Sequence, residues 1–289
     1  MRDSKITASV VLDSYCETER GLSRLITIQT TSPKFLDAEI EKHRMISSNS
    51  SSSRAMPTAQ QIENTFEDPY IPQDVRRPEK GMQGYERIDD DEYETFSYNT
   101  LAMARRVVSA IRVGGYECMY HKQHINRYLE PFSIQSKVLT ANLSSFEAML
   151  KLRLSEYADP AVQSWAEAIK EALDSSLPTI RNEDEWHLPY LNSEEEVELH
   201  TDTARMVSAA RCARVSYRNE GKEYDLEKEV TFANRLLKDY HMSPFEHQAS
   251  PSGFNILEAW PKGMTALSRS GDPLSGNFKD WIQFRQLVG

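Results

Sequence analysis

The stretch from Leu25 to Ala55 constrains the fold most, because it reads as a strand, a turn, a helix and a polar loop in direct succession. Residues 24–31 alternate apolar and polar side chains, which is typical of a half-buried strand. After a Ser-Pro turn, three side chains recur at helical spacing on one face: Leu36, Ile40 and His43. We therefore predict a strand over 24–31 and a helix over 34–45.

The loop from His43 to Ala55 combines two arginines, a histidine, an asparagine and a run of serines. Arginine forks, serine hydroxyls and loop N–H groups are the donors that bind phosphate oxygens. By composition alone, such a serine tract is more often a flexible linker. The ordered elements that precede it favour a binding loop for a phosphorylated small molecule.

The length and net charge of the chain limit the kinds of function that it can have. A chain of 289 residues can bury a large core, as one domain or two. Its formal net charge of −10 argues against a nucleic-acid polymer as partner, although a free nucleotide needs only a local cationic pocket. Cys16, Cys118 and Cys212 are far apart and odd in number, so we expect free thiols in the cytoplasm. We expect no signal peptide and no membrane partner, since no apolar run approaches the roughly 20 residues of a membrane span.

Periodicity predicts one domain over 1–289 of the α+β class, with an antiparallel sheet flanked by several helices. Residues 5–13 and 24–31 read as a hairpin. Further helices are predicted over 97–113, 116–128 and 144–153 (from a capping box at Ser144 and Glu147). Another begins at Asp159-Pro160, and one more covers 223–240. The predicted buried faces of these last two helices are Val162, Trp165, Ile169 and Leu173 in the first and Leu226, Val230, Ala233 and Leu237 in the second. Residues 48–95 read as a long irregular excursion that either covers a site or is partly mobile. Within it, the acidic run at 89–92 reads as a solvated surface.

Arg153 stands on the apolar face of its predicted helix, in line with Phe146, Met149 and Leu150. Burying an unpaired charge costs several kcal/mol. The pattern leaves three options open: Arg153 pairs with a carboxylate, reaches solvent at the helix end, or faces a ligand.

The polar loop resembles a family signature. The flavin-dependent thymidylate synthases carry R-H-R-x-x-S-x-N-x-x-S-x-R, and this chain reads Lys42-His43-Arg44-x-x-Ser47-x-Asn49-x-x-Ser52-x-Arg54. Lys42 keeps the charge of the first arginine but loses its planar fork. Ser50 and Ala55 stand where the wider family form has glutamate and tyrosine.

Other segments resemble the same family. Residues 121–132 look like the part that carries a substrate-binding arginine, here Arg127, and residues 142–153 like the part with a flavin asparagine and the catalytic arginine. Residues 213–217 and 243–247 look like elements that usually lie near the family's N-terminus. The resemblance therefore implies a circularly permuted member of the kind found in bacteriophages, in which 210–289 correspond to the family's N-terminal part and 57–95 are an insertion.

The resemblance also implies a reaction: FAD carries a hydride supplied by NADPH, and 5,10-methylenetetrahydrofolate donates one carbon to C5 of dUMP, giving dTMP. Arg153 would be catalytic by holding negative charge on the pyrimidine, with no side-chain nucleophile. Implied substrate-binding residues are Lys42, Ser50, Ser51, Ser52, Ser53, Arg54 and Arg127. Implied flavin-binding residues are His43, Arg44, Met45, Asn49, Asn142, Ser216 and His247. The family's sites form between subunits of a homotetramer.

Alternatives stay open at this point. The departures at 42, 50 and 55 could favour dCMP over dUMP, or a hydroxymethyl product over a methyl product. The chain could also be a non-catalytic nucleotide- or flavin-binding assembly protein, or a scaffold in which the serine tract is a linker. We expect no metal, because the histidine pair at 121 and 124 has no further ligand nearby.

Overall fold

A computed structural model describes residues 3–18, 21–81, 84–215, 225–252 and 263–288. The strands are β1 Thr7–Thr18, β2 Gly21–Pro33, β3 Ser47–Ser50, β4 Ile134–Asn142, β5 Thr179–Ile180, β6 Ala249–Pro251, β7 Ala266–Leu267, β8 Pro273–Leu274 and β9 Trp281–Gln283. The helices are α1 Asp37–Ile40, α2 Thr58–Glu67, α3 Asp90–Val113, α4 Tyr116–Met119, α5 Lys122–Ile125, α6 Leu143–Arg153, α7 Pro160–Asp174, α8 Ser193–Glu198, α9 Thr201–Ala213, α10 Leu226–Lys238 and α11 Arg285–Val288. None of the described helices is both long and apolar enough to span a membrane.

The main sheet has five strands in the order β3-β4-β2-β1-β5. β1 and β2 form the predicted hairpin, although both strands extend beyond the predicted bounds. β4 pairs antiparallel with β2 on one side and with β3 on the other. Only the short β5 runs parallel to its neighbour β1. The predicted α+β class with an antiparallel sheet is confirmed.

Both faces of this sheet are buried, because successive side chains of a strand point in opposite directions. On one face, Ile26 and Ile28 join the core formed with α6 and α7, where Phe146 and Trp165 are fully buried. On the other face, Leu25 packs in a separate cluster with residues of the C-terminal part of the chain. The C-terminal part therefore covers the face of the sheet that α6 and α7 leave open.

α7 follows its sequence pattern closely. The carboxylate of Asp159 accepts hydrogen bonds from the backbone N–H groups of Ala161 and Val162, as expected for an N-cap. All four residues of the predicted apolar stripe are buried: Val162, Trp165, Ile169 and Leu173.

The capping box predicted at Ser144 and Glu147 is wrong. β4 runs directly into α6, so the helix begins at Leu143 with Asn142 as its N-cap and without a side-chain capping bond. The predicted helix over 34–45 is also wrong in length, since a 3₁₀ turn at Lys34–Leu36 and the short α1 replace it. Residues 116–128 form the short helices α4 and α5 and a 3₁₀ turn rather than one helix.

The excursion predicted over 48–95 is only partly irregular, because it contains α2 and the end of β3. Its acidic run is exposed to solvent, as predicted, and forms the N-terminus of α3. The carboxylate of Asp89 accepts from the N–H of Glu92 at 2.9 Å, and the carboxylate of Glu92 accepts from the N–H of Asp89 at 3.1 Å. This reciprocal pair is a capping box, which satisfies two N–H groups that the helix itself cannot pair.

α10 lies within the predicted 223–240, and its buried face agrees with the prediction at Ala233 but not at Leu226. Leu226 is 39% exposed, whereas Glu229 is buried and paired with Arg211 and Arg214. This ion-pair cluster joins α10 to α9, a helix that the sequence pattern did not predict.

Candidate active site

Arg153 ends α6 with its side chain 13% exposed. Its Nε donates to Nε2 of His43 at 2.9 Å, and its two terminal nitrogens donate to the carboxylate and the carbonyl oxygen of Glu39 at 3.1 and 3.2 Å. Of the three options that the sequence left open, carboxylate pairing is observed. The helix α6 and the segment around α1 thus hold the guanidinium from two sides.

His43 is a neutral acceptor in this arrangement. Burial, followed by the nearby charge of Arg153, lowers the pKa of His43 below its ordinary value of 6.5. The imidazole therefore accepts the Nε–H of Arg153 without adding a second positive charge. This contact orients the guanidinium and keeps its charge undiminished.

Arg153 also faces a cavity of about 620 Å³, which we call the arginine cavity. Lys42 and Glu39 line it beside Arg153, and Tyr157 and Phe96 give it aromatic surface. A volume of this size suits a small-molecule ligand.

One wall of the arginine cavity comes from residues 72–76 and Gly84, within the predicted insertion. Asp74 anchors this wall by accepting from Arg76 at 2.6 Å and from Arg87 at 2.7 Å. These residues form an ordered wall beside Arg153. Of the two possibilities that the sequence left open for this segment, covering a site or being partly mobile, the structure shows the first.

The serine loop (residues 51–54) is anchored rather than linker-like. The N–H of Ser51 donates to the carbonyl of Ser136 at 2.8 Å, and the hydroxyl of Ser53 donates to Glu130 at 2.6 Å. The amide of Asn126 donates to the carbonyl of Ser53 at 2.6 Å. The loop lines a second, smaller cavity of about 120 Å³ that includes Ser51, Ser52 and Ser53.

Arg54 and Arg127 are both exposed, and neither lines the arginine cavity or the serine-loop cavity. Lys42 and Arg153 share one cavity, while the three serines line the other. The structure of one chain therefore divides the predicted substrate-binding residues into three groups: one at the arginine cavity, one at the serine-loop cavity, and one that lines neither, namely Ser50, Arg54 and Arg127.

The predicted flavin-binding residues are also divided. Arg44 and Met45 are exposed beside His43. Ser50, predicted to bind substrate, lies on β3 opposite Lys137. Ser216 lies outside the described residues.

Two asparagines bind the C-terminal part of the chain. Asn49 donates to the carbonyl of Cys212 at 3.1 Å and accepts from the hydroxyl of Ser243 at 2.7 Å. Asn142 donates to the carbonyl of Lys279 at 3.1 Å and accepts from the N–H of the same residue at 2.7 Å. Both amide groups thus bind C-terminal residues to the sheet, one at the edge strand β3 and the other at the end of β4.

His247 is fully buried, and burial lowers its pKa to about 3. Its Nδ1 lies 2.8 Å from the hydroxyl of Thr140, whereas its Nε2 has no hydrogen-bond partner among the described residues. A buried polar atom without a partner is unfavourable.

The sequence reasoning missed Lys137 and His187, which are both completely buried. The Nζ of Lys137 pairs with Asp37 at 2.9 Å and also with Glu41, and so holds the α1 segment on β4. A lysine inside the apolar run of β4 was the available signal; nothing in the pattern around His187 distinguished it. Within the described ranges, no three metal-ligating side chains come together.

Comparison with known proteins agrees with the motif. Residues 25–179, more than half of the 289, match the model of the thymidylate synthase complementing protein family. The chain therefore belongs to this family. The match confirms the resemblance to the flavin-dependent thymidylate synthases, and with it the enzyme class. No curated protein sequence matches the chain.

Two solved structures resemble this chain at low sequence identity. The UMP/dUMP methylase PolB from Streptomyces cacaoi, bound with 5-Br UMP, is 14% identical, with a TM-score of 0.48 over 59% of this chain and 89% of that chain. Thymidylate synthase X from Helicobacter pylori, with FAD and dUMP, is 17% identical, with a TM-score of 0.35 over 52% and 67%.

Proposed function

We propose that this protein is a flavin-dependent enzyme that transfers one carbon from 5,10-methylenetetrahydrofolate to C5 of dUMP, forming dTMP, with NADPH as the reductant. The observation that carries the proposal is the guanidinium of Arg153, held at the wall of a ligand-sized cavity in a chain of this family.

Arg153 has donors to spare for a ligand. A guanidinium carries five N–H groups. Three of them donate to His43 and Glu39, and the other two have no partner among the described residues. These two N–H groups and the charge would favour loss of the uracil N3 proton and hold the resulting anion, which makes C5 nucleophilic. The protein then needs no nucleophilic side chain.

Lys42 supplies a second cation in the same cavity. Its ammonium forms no ion pair or hydrogen bond among the described residues, although Glu39 lies in the same cavity wall. An unpaired lysine beside the paired Arg153 gives this cavity a site for an anionic ligand.

FAD fits this chain in part. His43, Arg44 and Met45 lie together on an accessible segment, whereas His247 is fully buried. The three accessible residues would hold the flavin, whereas the amides of Asn49 and Asn142 are occupied by C-terminal residues. When bound, the reduced flavin supplies the hydride that completes the methyl group.

We further propose that the complete site forms between two copies of the chain, within a homotetramer. The separation of Arg153 and Lys42 from the serine loop, Arg54 and Arg127 supports this arrangement. In it, one copy would hold the pyrimidine and the other the 5′-phosphate.

We also propose that residues 210–289 supply the family's N-terminal part in permuted order. Three contacts support this: Asn49 with Ser243, Thr140 with His247, and Asn142 with Lys279. Each joins the family-matched residues to the C-terminal part, so both parts contribute to one unit.

Product analysis tests the reaction. Purified protein with FAD, NADPH and the folate donor is incubated with dUMP or dCMP, and the nucleotides are identified by mass. We expect dTMP from dUMP. A 5-hydroxymethyl product, or turnover of dCMP alone, would replace the proposed reaction with one of the alternatives, and a protein that binds no FAD and makes no product would be a non-catalytic relative.

A further inference from the structure

The arginine cavity is larger than a pyrimidine base requires. Its volume is about 620 Å³. Uracil has eight non-hydrogen atoms, and a water-sized group occupies about 30 Å³, so the base fills at most about 240 Å³. A pyrimidine held by Arg153 therefore leaves room in the cavity for a second ring.

Two aromatic side chains, Phe96 and Tyr157, line the same cavity. Phe96 is partly buried on α3, whereas Tyr157 follows α6 and is 56% exposed. Aromatic rings pack on a flat ring by offset stacking or edge-to-face contact. The cavity thus offers the kind of surface that binds a planar heterocycle.

Tyr157 is in contact with the predicted insertion. Its ring meets the ring of Tyr85 edge-to-face, with the centroids 6.2 Å apart and the planes at 89°. Such a neighbour covers at most one face of a ring, so the other face of Tyr157 stays available. Tyr85 is itself held, because its carbonyl accepts from Arg76 at 2.7 Å and its N–H donates to Glu79 at 2.8 Å.

Close backbone packing at Gly84 also fixes the position of Tyr85. A Cβ at residue 84 would lie 2.7 Å from the carbonyl oxygen of Arg77 and 2.8 Å from Cβ of Arg76, which is closer than real side chains pack. Glycine alone therefore lets the backbone before Tyr85 approach residues 76 and 77.

The carboxylate of Asp159 also lines the arginine cavity. One of its oxygens accepts from the N–H groups of Ala161 and Val162, whereas the other has no hydrogen-bond or ion-pair partner among the described residues. An ionised carboxylate oxygen accepts strong hydrogen bonds from N–H donors. The cavity can therefore bind a flat ring that carries N–H groups at its edge.

We propose that Phe96, Tyr157 and Asp159 form the subsite for the reduced pteridine of the one-carbon donor. The pyrimidinone part of this pteridine is flat, and its 2-amino and N3–H groups are donors for the carboxylate. The inference rests on the proposed function, in which the donor must reach C5 of the pyrimidine and so must share the cavity of Arg153. Tyr85 is a positioning residue, since it acts on the ligand only through Tyr157.

The test is calorimetric titration of the full chain with 5-formyltetrahydrofolate, a reduced folate that does not react, in the presence of FAD and dUMP. Separate titrations measure FAD and dUMP themselves. Tyr157→Ala should weaken the binding of the folate by about 10-fold or more, and it should leave the affinities for dUMP and FAD unchanged. Tyr157→Phe keeps the ring and should bind the folate like the wild type.

Several results would overturn the subsite. One is a wild-type protein that does not bind the reduced folate, and another is a folded Tyr157→Ala protein that binds it unchanged. Loss of affinity for dUMP or FAD in place of the folate would assign the aromatic surface to that ligand instead.

Asp159→Asn tests the carboxylate without disturbing α7, because asparagine caps a helix as well as aspartate does. Its melting temperature should stay unchanged, while the affinity for 5-formyltetrahydrofolate falls by about 10-fold. Unchanged affinity would remove Asp159 from the subsite. This variant also keeps the inference testable if Tyr157→Ala does not fold.

Tyr85→Ala tests the positioning role of the insertion. It should weaken the binding of the folate, whereas Tyr98→Ala should not, because Tyr98 is 72% exposed on α3 and does not line the cavity. The double variant Tyr85→Ala/Tyr157→Ala should bind the folate no more weakly than Tyr157→Ala alone. Additive losses would show that Tyr85 does not act through Tyr157.

The product assay separates this inference from the proposed function. A protein that forms no dTMP but binds the folate through Tyr157 would refute the proposed reaction and leave the subsite intact. Formation of dTMP by Tyr157→Ala with an unchanged KM for the folate donor would support the reaction and overturn the subsite.

Discussion

Replacement of Arg153 by alanine separates its structural role from its catalytic role. The change removes three hydrogen bonds, to His43 and Glu39, at a site where the arginine is 13% and the glutamate side chain 35% exposed. Because solvent can replace part of these contacts, we expect a loss of about 1–2 kcal/mol in the free energy of unfolding. For a chain of this size, that lowers the melting temperature by about 2–6 °C.

The expected effect on catalysis is larger. Removal of one donor that stabilises charge in a transition state costs about 10²–10³-fold in kcat. The binding of dUMP should change less, since the charge on the pyrimidine develops during reaction. Arg153→Ala should therefore remain folded at assay temperature and lose nearly all turnover. Arg153→Lys keeps the charge but cannot reach both His43 and Glu39, so we expect only partial rescue.

The assay follows dTMP formation under saturating dUMP, with thermal denaturation and flavin content measured on the same samples. Lys151→Ala is the matched control, because Lys151 is an exposed cation on the same helix. Turnover of Arg153→Ala within a factor of about three of the control would refute the catalytic role. Loss of folding would show that the arginine is structural.

Three further predictions concern other parts of the structure. Because the pKa of His247 is about 3 when folded and ordinarily 6.5, the unfolded state binds the proton first and stability falls as pH drops below 6.5. Between pH 7 and pH 5, the loss measured by urea denaturation should be smaller by about 2 kcal/mol in His247→Gln than in the wild type, and the loss that remains includes the contribution of the equally buried His187; equal pH dependence in both proteins would contradict this. Asn142→Ala should lower the unfolding free energy of the flavin-free protein by about 1–3 kcal/mol, because the backbone of Lys279 loses its partner; an unchanged value would mean that Asn142 is not structural. Arg54→Ala and Arg153→Ala should each be inactive, but refolded together they should regain activity at about a quarter of the sites if two copies form each site, whereas no recovery would place both arginines in one copy.

Local patterns in the sequence identified the elements whose stability is mainly local. α7 was predicted by its Asp-Pro start and its apolar stripe, since both depend on residues within a few turns. The hairpin of β1 and β2 was predicted because its strands are adjacent in the chain. The motif at residues 42–54 was sufficient for the family, which the match over 25–179 confirms.

The missed elements depend on partners far away in the chain. Ser47–Ser50 is too polar to read as a strand, and it becomes one by pairing with β4. Lys137 is an improbable core residue until folding places Asp37 and Glu41 beside it. The sequence around Lys137 does not indicate these carboxylates, because they lie about 100 residues earlier in the chain.

The same division applies to the candidate site. The types and order of residues in the chain specify which chemical groups it can offer, since a guanidinium, an imidazole or a hydroxyl has its donors wherever it stands. Whether Arg153 meets His43, 110 residues earlier, depends on the packing of α6 against the sheet. Tertiary structure alone also places Lys42 and the three serines of the serine loop, all predicted to bind substrate, at different cavities. Hydrogen bonds act over about 3 Å, so only the folded chain decides which of these groups act together.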